Sequence, residues 1–229
     1  TAGGANVGQG SFASGYRCTA SGKYSTALGY YSQATTSNAF ASGSEAIASG
    51  SNSFAIGYKA EATASTSFAA GNSTEASGTS SCAIGAFNSA SNTYATAFGV
   101  LTVASGYGST AMGLYSQATG SYSTAIGTYP KATGSYSTAM GYQTTSQAYN
   151  SFVVGRYNDI AGSTTSWIAT DPLFVVGNGT SSTDTSNAFM VRKNGVVVIP
   201  SLPTTTVGTS SYIKVDSTGK IGIPAKGDK

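Results

Sequence analysis

Along the first two thirds of the chain, apolar and polar positions recur with a single period of fourteen residues. The triplet Ala-x-Gly, or a close variant, begins at Ala13, Ala27, Ala41, Ala55, Ala69, Ala83, Ala97, Ala111, Ala125, Ala139 and Val153. No insertion interrupts these eleven copies, and each keeps its glycine, from Gly15 and Gly29 through to Gly155. A second alanine lies seven residues after each of the first nine anchors, from Ala20 and Ala34 to Ala132, followed every time by Ser or Thr and often then by Gly. Self-similarity at a fixed period marks a repeat architecture, in which each repeat adds one supersecondary unit to a stack.

Within each repeat the alternation has period 2. The residue after the anchor is usually apolar (Leu28, Ile56, Ile84, Phe98, Met112, Ile126, Met140, Val154), and the residue before it is Phe or Thr in most copies. These two share one face of an extended strand, and the anchor alanine points to the other. Short alternation bounded by glycine predicts strand and turn. A helix would need period 3.6 and would lose about 1 kcal/mol at each glycine. Identical repeats then stack as parallel, in-register coils about 4.8 Å apart. Eleven such coils make a thin solenoid roughly 50 Å long. So thin a coil is expected to enclose only one or two large side chains. The small-residue face, built from the anchor alanines and from Ser25, Ser53, Ser67, Ser81, Ser109, Ser123 and Ser137, is expected to face outward, against a neighbouring chain.

Segments such as Asn52-Ser53-Phe54-Ala55-Ile56-Gly57 and Ser123-Thr124-Ala125-Ile126-Gly127 resemble the head repeat of the trimeric autotransporter adhesins, the YadA-like head. The resemblance runs over about residues 6–157 and combines a motif, a period and eleven uninterrupted copies. It implies an all-β fold, a left-handed parallel β-roll. It also implies a homotrimer displayed at an extracellular, cell or virion surface, which binds a host matrix protein, a glycan or a cell-surface receptor. No catalytic residue and no cofactor come with it.

Beyond Tyr157 the period ends, and residues 158–229 read as a small all-β cap and connector behind a 1–157 head. Strands are expected at Leu173–Val176, Ala188–Arg192, Val196–Ile199, Tyr212–Val215 and Lys220–Ile223, with turns at Lys193-Asn194-Gly195 and at Asp216–Gly219. Pro200, Pro203 and Pro224 limit further pairing. Phe174-Val175-Val176-Gly177-Asn178-Gly179, with Asn187-Ala188-Phe189 and Lys193-Asn194-Gly195-Val196, loosely resembles segments that follow such rolls in phage tail fibres and large bacterial surface proteins. A phage receptor-binding fibre is therefore the second reading.

Composition narrows the function classes. Charged residues make up 8% of the chain, against a usual value near 25%. With 15 Tyr and 9 Phe, the chain lacks the aromatic poverty of a disordered segment. A net charge of +3 without a basic cluster gives no footprint for nucleic acid. No apolar run reaches the ~20 residues of a membrane span, so this stretch is not expected to insert into a membrane. The chain opens on Thr1 with no signal peptide and reads as an excised or processed piece. There is no histidine, which removes Ser-His-Asp chemistry, and the carboxylates are scattered singly. Gly177-Asn178-Gly179 has no strand–turn–helix setting and reads as a turn, not a nucleotide loop. No enzyme is expected. Cys18 and Cys82 lie about four and a half coils apart, beyond the ~7 Å reach of a disulfide, and should be free thiols.

Two residue classes are candidates for a surface role. Thr96, Thr110, Thr124 and Thr138 form one ladder; an ice-binding array is the third reading, and an interior or interface ladder the preferred one. Fourteen tyrosines lie in residues 1–157, many at variable positions near turns. Tyrosine combines a large contact area with a polar tip. Tyr16, Tyr30, Tyr31, Tyr58, Tyr107, Tyr115, Tyr129 and Tyr142 are therefore the candidate ligand-binding surface. The alternative is that they stack coil on coil and simply cover the roll.

Overall fold

The computed structural model describes residues 7–200, 214–215 and 221–222. It is all-β, with no helix among the described residues, and consists of stacked parallel coils ending in a small antiparallel module. Each coil has a five-residue strand, a first corner, a two-residue strand and a second corner. The long strands run from Phe12–Tyr16 to Phe152–Arg156, and the short ones from Thr19–Ala20 to Thr145–Ser146. Pairing is parallel and in register throughout, so like stands on like: Phe54 beside Phe68, Ala55 beside Ala69, Gly57 beside Gly71. The long strands join one fourteen-stranded sheet and the short ones a ten-stranded sheet.

Both corners need left-handed backbone. At the first corner of one coil Lys59 has φ 50°, and at the second Thr66 has φ 56°. Polar, charged and aromatic residues all occupy these sites. The invariant glycine has a different cause. At Gly57, φ is +124°, and a Cβ would run into the backbone carbonyl of Gly71 in the next coil. Neither condition admits another residue. Close stacking at this point thus explains why the glycine never varies.

The interior corrects the facing expected from the sequence. Anchor alanines Ala27, Ala41, Ala55 and their equivalents are completely buried, as are the half-coil alanines Ala20, Ala34 and Ala48. Ser25, Ser53, Ser67, Ser81, Ser109, Ser123 and Ser137 are buried with them. The large residues point outward: Ile56, Phe98 and Met112 are exposed, and Thr96, Thr110, Thr124 and Thr138 lie half-buried on the same outer face. The small-residue face is therefore the core and not an outer contact, and the threonine ladder is not interior. The reason is thickness. Fourteen residues folded into two facing strands and two corners leave room inside only for a Cβ or a hydroxyl. Among the described residues no fully buried side chain is larger than Val175.

At the first corner several buried polar groups are matched to backbone carbonyls, while the Thr74 and Thr144 hydroxyls at the same position make no hydrogen bond. The Ser32 hydroxyl donates to the Gly43 carbonyl at 2.9 Å, and Ser116 donates to the Gly127 carbonyl at 3.1 Å. Asn88 donates to the carbonyls of Ile84 and Gly99, both at 2.7 Å, while its own oxygen accepts from the Thr102 backbone and hydroxyl. Cys18 takes the same position, its thiol 3.2 Å from the Gly29 carbonyl. Both cysteines are free, as their spacing requires.

After Arg156 the chain makes an excursion and then resumes the ladder. Pro172–Asn178 pairs parallel with Phe152–Arg156, with Phe174 on Phe152 and Gly177 on Gly155. Asn187–Arg192 then pairs antiparallel with it, and Val197–Val198 pairs with that strand. The expected strands at Leu173–Val176, Ala188–Arg192 and Val196–Ile199 are thus present, and Lys193–Gly195 forms the turn. Lys214–Val215 pairs with Ile221–Gly222. Asp216–Gly219, Pro203 and Pro224 lie outside the described residues.

Candidate functional site

The outer surface is where this molecule can meet a ligand, because the interior is filled by alanine and serine. Two of its regions are lined with tyrosine, one along each edge of the stack.

The first-corner edge gathers seven of the eight tyrosines singled out from the sequence. Tyr16, Tyr30, Tyr58 and Tyr142 close long strands, and Tyr31, Tyr115 and Tyr129 are the left-handed residues that follow such strands. All but Tyr31, which is half-buried, are exposed. They also touch one another between coils. Tyr16 stacks on Tyr30 at 5.4 Å, Tyr30 meets Tyr31 edge-on at 4.5 Å, and Tyr115 stacks on Tyr129 at 4.7 Å. Tyr107 is not part of this edge. It lies on the opposite, second-corner edge.

The roll's charge is also concentrated at the first corner and on the outer side of the adjoining short strands. Arg17, Glu45, Lys59, Glu61, Glu75, Lys131 and Arg156 lie there, and among the charged residues of the roll only Lys23 lies elsewhere. Arg17 donates to the Tyr31 hydroxyl at 2.8 Å, and its guanidinium sits 5.5 Å from both the Tyr16 and Tyr31 rings. Lys59 lies 3.7 Å from Glu45 of the preceding coil and 5.3 Å above the Tyr58 ring. Its hydrogen bond with Tyr58 and the Glu45 charge raise its pKa. Burial among its neighbours, with the negative charge that Tyr31 and Tyr16 would carry, pushes the Tyr30 phenol up, and Glu45 adds to this. The Tyr30 hydroxyl therefore remains a neutral donor at physiological pH.

Between the corner and the short strands the surface is concave. A shallow cavity of about 600 Å³ is bounded by Tyr30, Tyr31, Glu45, Lys59 and Glu61, with Ile47 and Gln33 on its floor side. A second, of about 310 Å³, lies farther along the same edge beside Tyr129, Lys131 and Tyr157, closed by Ile160 and Thr185 from the C-terminal module. Each mixes aromatic faces with hydrogen-bonding groups, and neither is enclosed. Among the described residues no group of His, Cys, Asp and Glu is arranged to hold a metal.

The sequence reading missed the second edge. Tyr94, Tyr122 and Tyr136 are its left-handed corner residues, with Tyr107 and Tyr149 one position earlier in intervening coils. The available signal was the spacing of 28 and then 14 residues from Tyr94 to Tyr122 to Tyr136. It was obscured because the other two rings come from a neighbouring position.

The geometry of the described residues is that of a rod that presents repeated surfaces with open cavities, and comparison with known families agrees. Residues 20–46, 48–74, 76–101, 104–129 and 132–158, together more than half of the chain, match the family described as YadA head domain repeat (2 copies). The chain belongs to the YadA head-repeat family. No curated protein matches it. Membership marks this YadA-like head as a surface-fibre segment of the autotransporter adhesin type, a family of extracellular adhesins and not of enzymes.

Proposed function

We propose that this chain is one strand of a homotrimeric, extracellular adhesive fibre, with residues 1–157 as the head and 158–229 as its cap and connector. The observation that carries the trimer is the outer face of the long-strand sheet. Ile56, Ile84, Phe98, Met112, Ile126 and Met140 stand in one outward ladder beside Phe40, Phe54 and Phe68, whose rings stack at 4.3 and 5.6 Å. Large apolar side chains repeated along one outward face mark an interaction surface. Two further copies cover it, and the family's trimeric heads support that assembly.

Adhesion in this reading belongs to the first-corner edge. Its tyrosines, salt-linked Lys59 and Glu45, and concave floor suit a matrix protein, a glycan or a cell-surface receptor, and threefold display multiplies weak contacts into avidity. Light scattering during size exclusion tests the assembly. The expected mass is three times that of the chain, falling to a single chain when Met112→Asp and Ile126→Asp are combined. A folded wild-type monomer would overturn the proposal. In the intact trimer, Tyr30→Ala with Tyr31→Ala should reduce retention on immobilised matrix proteins without altering the mass.

A further inference from the structure

The second-corner edge carries an aromatic rail of a different character. From Tyr94 onward, five successive coils each contribute one tyrosine: Tyr94, Tyr107, Tyr122, Tyr136 and Tyr149. Ring centroids follow one another at 5.7, 5.3, 5.1 and 5.5 Å. Only Tyr122 and Tyr136 lie flat on each other. The other steps are edge-on, with interplanar angles of 69–89°, so the rings do not consume one another's faces. The excursion after Tyr157 extends the line. Its Thr164 and Ser163 carbonyls accept from the backbone of Ser135 and Tyr149, which docks the loop along this edge. Trp167 then lies beyond Tyr149, with the Lys193 ammonium between the two, 5.8 Å from one ring and 5.0 Å from the other. Trp167 is 53% exposed, Tyr94 57% and Tyr122 50%.

The flanks of the rail are as uniform as its rings. Across these five coils, the second-corner residues from Ser91–Tyr94 to Gln147–Asn150 are all Ser, Thr, Asn, Gln, Gly, Ala or Tyr, with no charged side chain. All charged groups of the roll but Lys23, which lies in an early coil beside Tyr24, are on the opposite edge. Tyr94, Tyr122 and Tyr136 hold φ values of 55–60°, a conformation costly for an aromatic residue, although Asn38, Asn52 and Asn150 take the same position in other coils.

We propose that this rail binds an extended, uncharged polysaccharide chain lying parallel to the fibre axis. Aromatic faces pack against the C–H faces of pyranose rings, and the hydroxyl and amide groups alongside supply hydrogen bonds to sugar hydroxyls. The coil rise, about 4.8 Å, is close to the advance of one sugar unit in an extended chain. The five second-corner tyrosines have no cation among their flanking residues to attract a polyanion, and the one ammonium on the line, Lys193, lies at its end between Tyr149 and Trp167. This site stands apart from the first-corner edge and does not depend on what that edge binds.

Trp167 is the chain's one tryptophan and so reports on the rail directly. The intact protein should be titrated with cello- and chito-oligosaccharides of increasing length while Trp167 fluorescence is followed. Expected are a saturable spectral change and an affinity that rises by about tenfold or more from disaccharide to hexasaccharide. The variant Tyr107→Ser/Tyr122→Asn/Tyr136→Asn should lose that binding. Each replacement already occupies the equivalent position elsewhere in the roll, so the fold is retained. Tyr30→Ala should bind like wild type, which separates failure here from failure at the other edge. No response to any of these neutral glycans, or undiminished binding by the triple variant, would overturn the proposal.

Discussion

At the scale of single residues, the decisive quantity is the room inside the coil. Ala97 is completely buried while its neighbour Phe98 is 48% exposed. A leucine placed at Ala97 must push two sheets apart, and overpacking of this kind typically costs about 1–3 kcal/mol. Ala97→Leu is therefore expected to lower the midpoint of chemical unfolding clearly, while Phe98→Leu leaves the unfolding of a dissociated chain nearly unchanged. Equal effects would contradict the facing described above. Period-2 alternation shows which residues share a face, and the sequence made that legible without error. It does not show which face is inside. That depends on coil thickness, which favours alanine within and phenylalanine without, against the usual association of size with burial. Cys18 illustrates the same economy of space: its thiol meets the Gly29 carbonyl as the Ser32 hydroxyl meets Gly43, at a position that alanine fills in other coils, as at Ala46 and Ala60.

At the scale of elements, the tyrosine ladders couple neighbouring coils through their side chains as the strands do through their backbones. Burial and neighbouring phenols raise the Tyr30 and Tyr107 hydroxyls, and a hydrogen bond donated to Tyr142 raises Tyr157. A group whose pKa is higher in the folded state contributes stability that is complete below its unfolded value, near 10. That contribution disappears as pH rises through the folded value. Unfolding midpoints should thus hold steady from neutrality to about pH 9 and fall above about pH 10. Phenolate absorbance should appear later in the native protein than in the denatured one. Coincident titrations in the two states would show that the ladders are not coupled. Much of this layer was visible in advance. The first-corner tyrosines recur at positions that the period assigns to one edge. Tyr107, however, belongs with Tyr94 and Tyr122, although it is thirteen residues from one and fifteen from the other. Sidestepping by one position at a corner leaves a ring on the same edge, a freedom that strands do not allow. The resumption of the long sheet was hidden in a similar way. Phe174-Val175-Val176-Gly177 repeats Phe152-Val153-Val154-Gly155, but after twenty-two residues in place of fourteen.

At the scale of the whole molecule, stability is close to a sum of coils and the interfaces between them, because each coil contacts only its neighbours. Removing one complete coil, residues 53–66, leaves Ala41 stacked on Ala69 and Gly43 on Gly71, pairs equivalent to those it replaces. The shortened protein is expected to fold with nearly the same circular dichroism per residue. Removing only residues 53–59 brings a short strand into the place of a long one and should abolish cooperative unfolding. Two normal transitions would argue against a register set by the fourteen-residue period.

The direction of the backbone hydrogen bonds has a mechanical consequence. Those that join coils run along the axis of the rod, so tension on its ends is borne by one coil boundary after another and not by all of them together. A coil that peels away gives up about 4.8 Å of rod and releases fourteen residues that can stretch to roughly 48 Å. Under drag, such a tether lengthens about tenfold wherever it yields. It dissipates load in small steps while the coils on either side keep their shape.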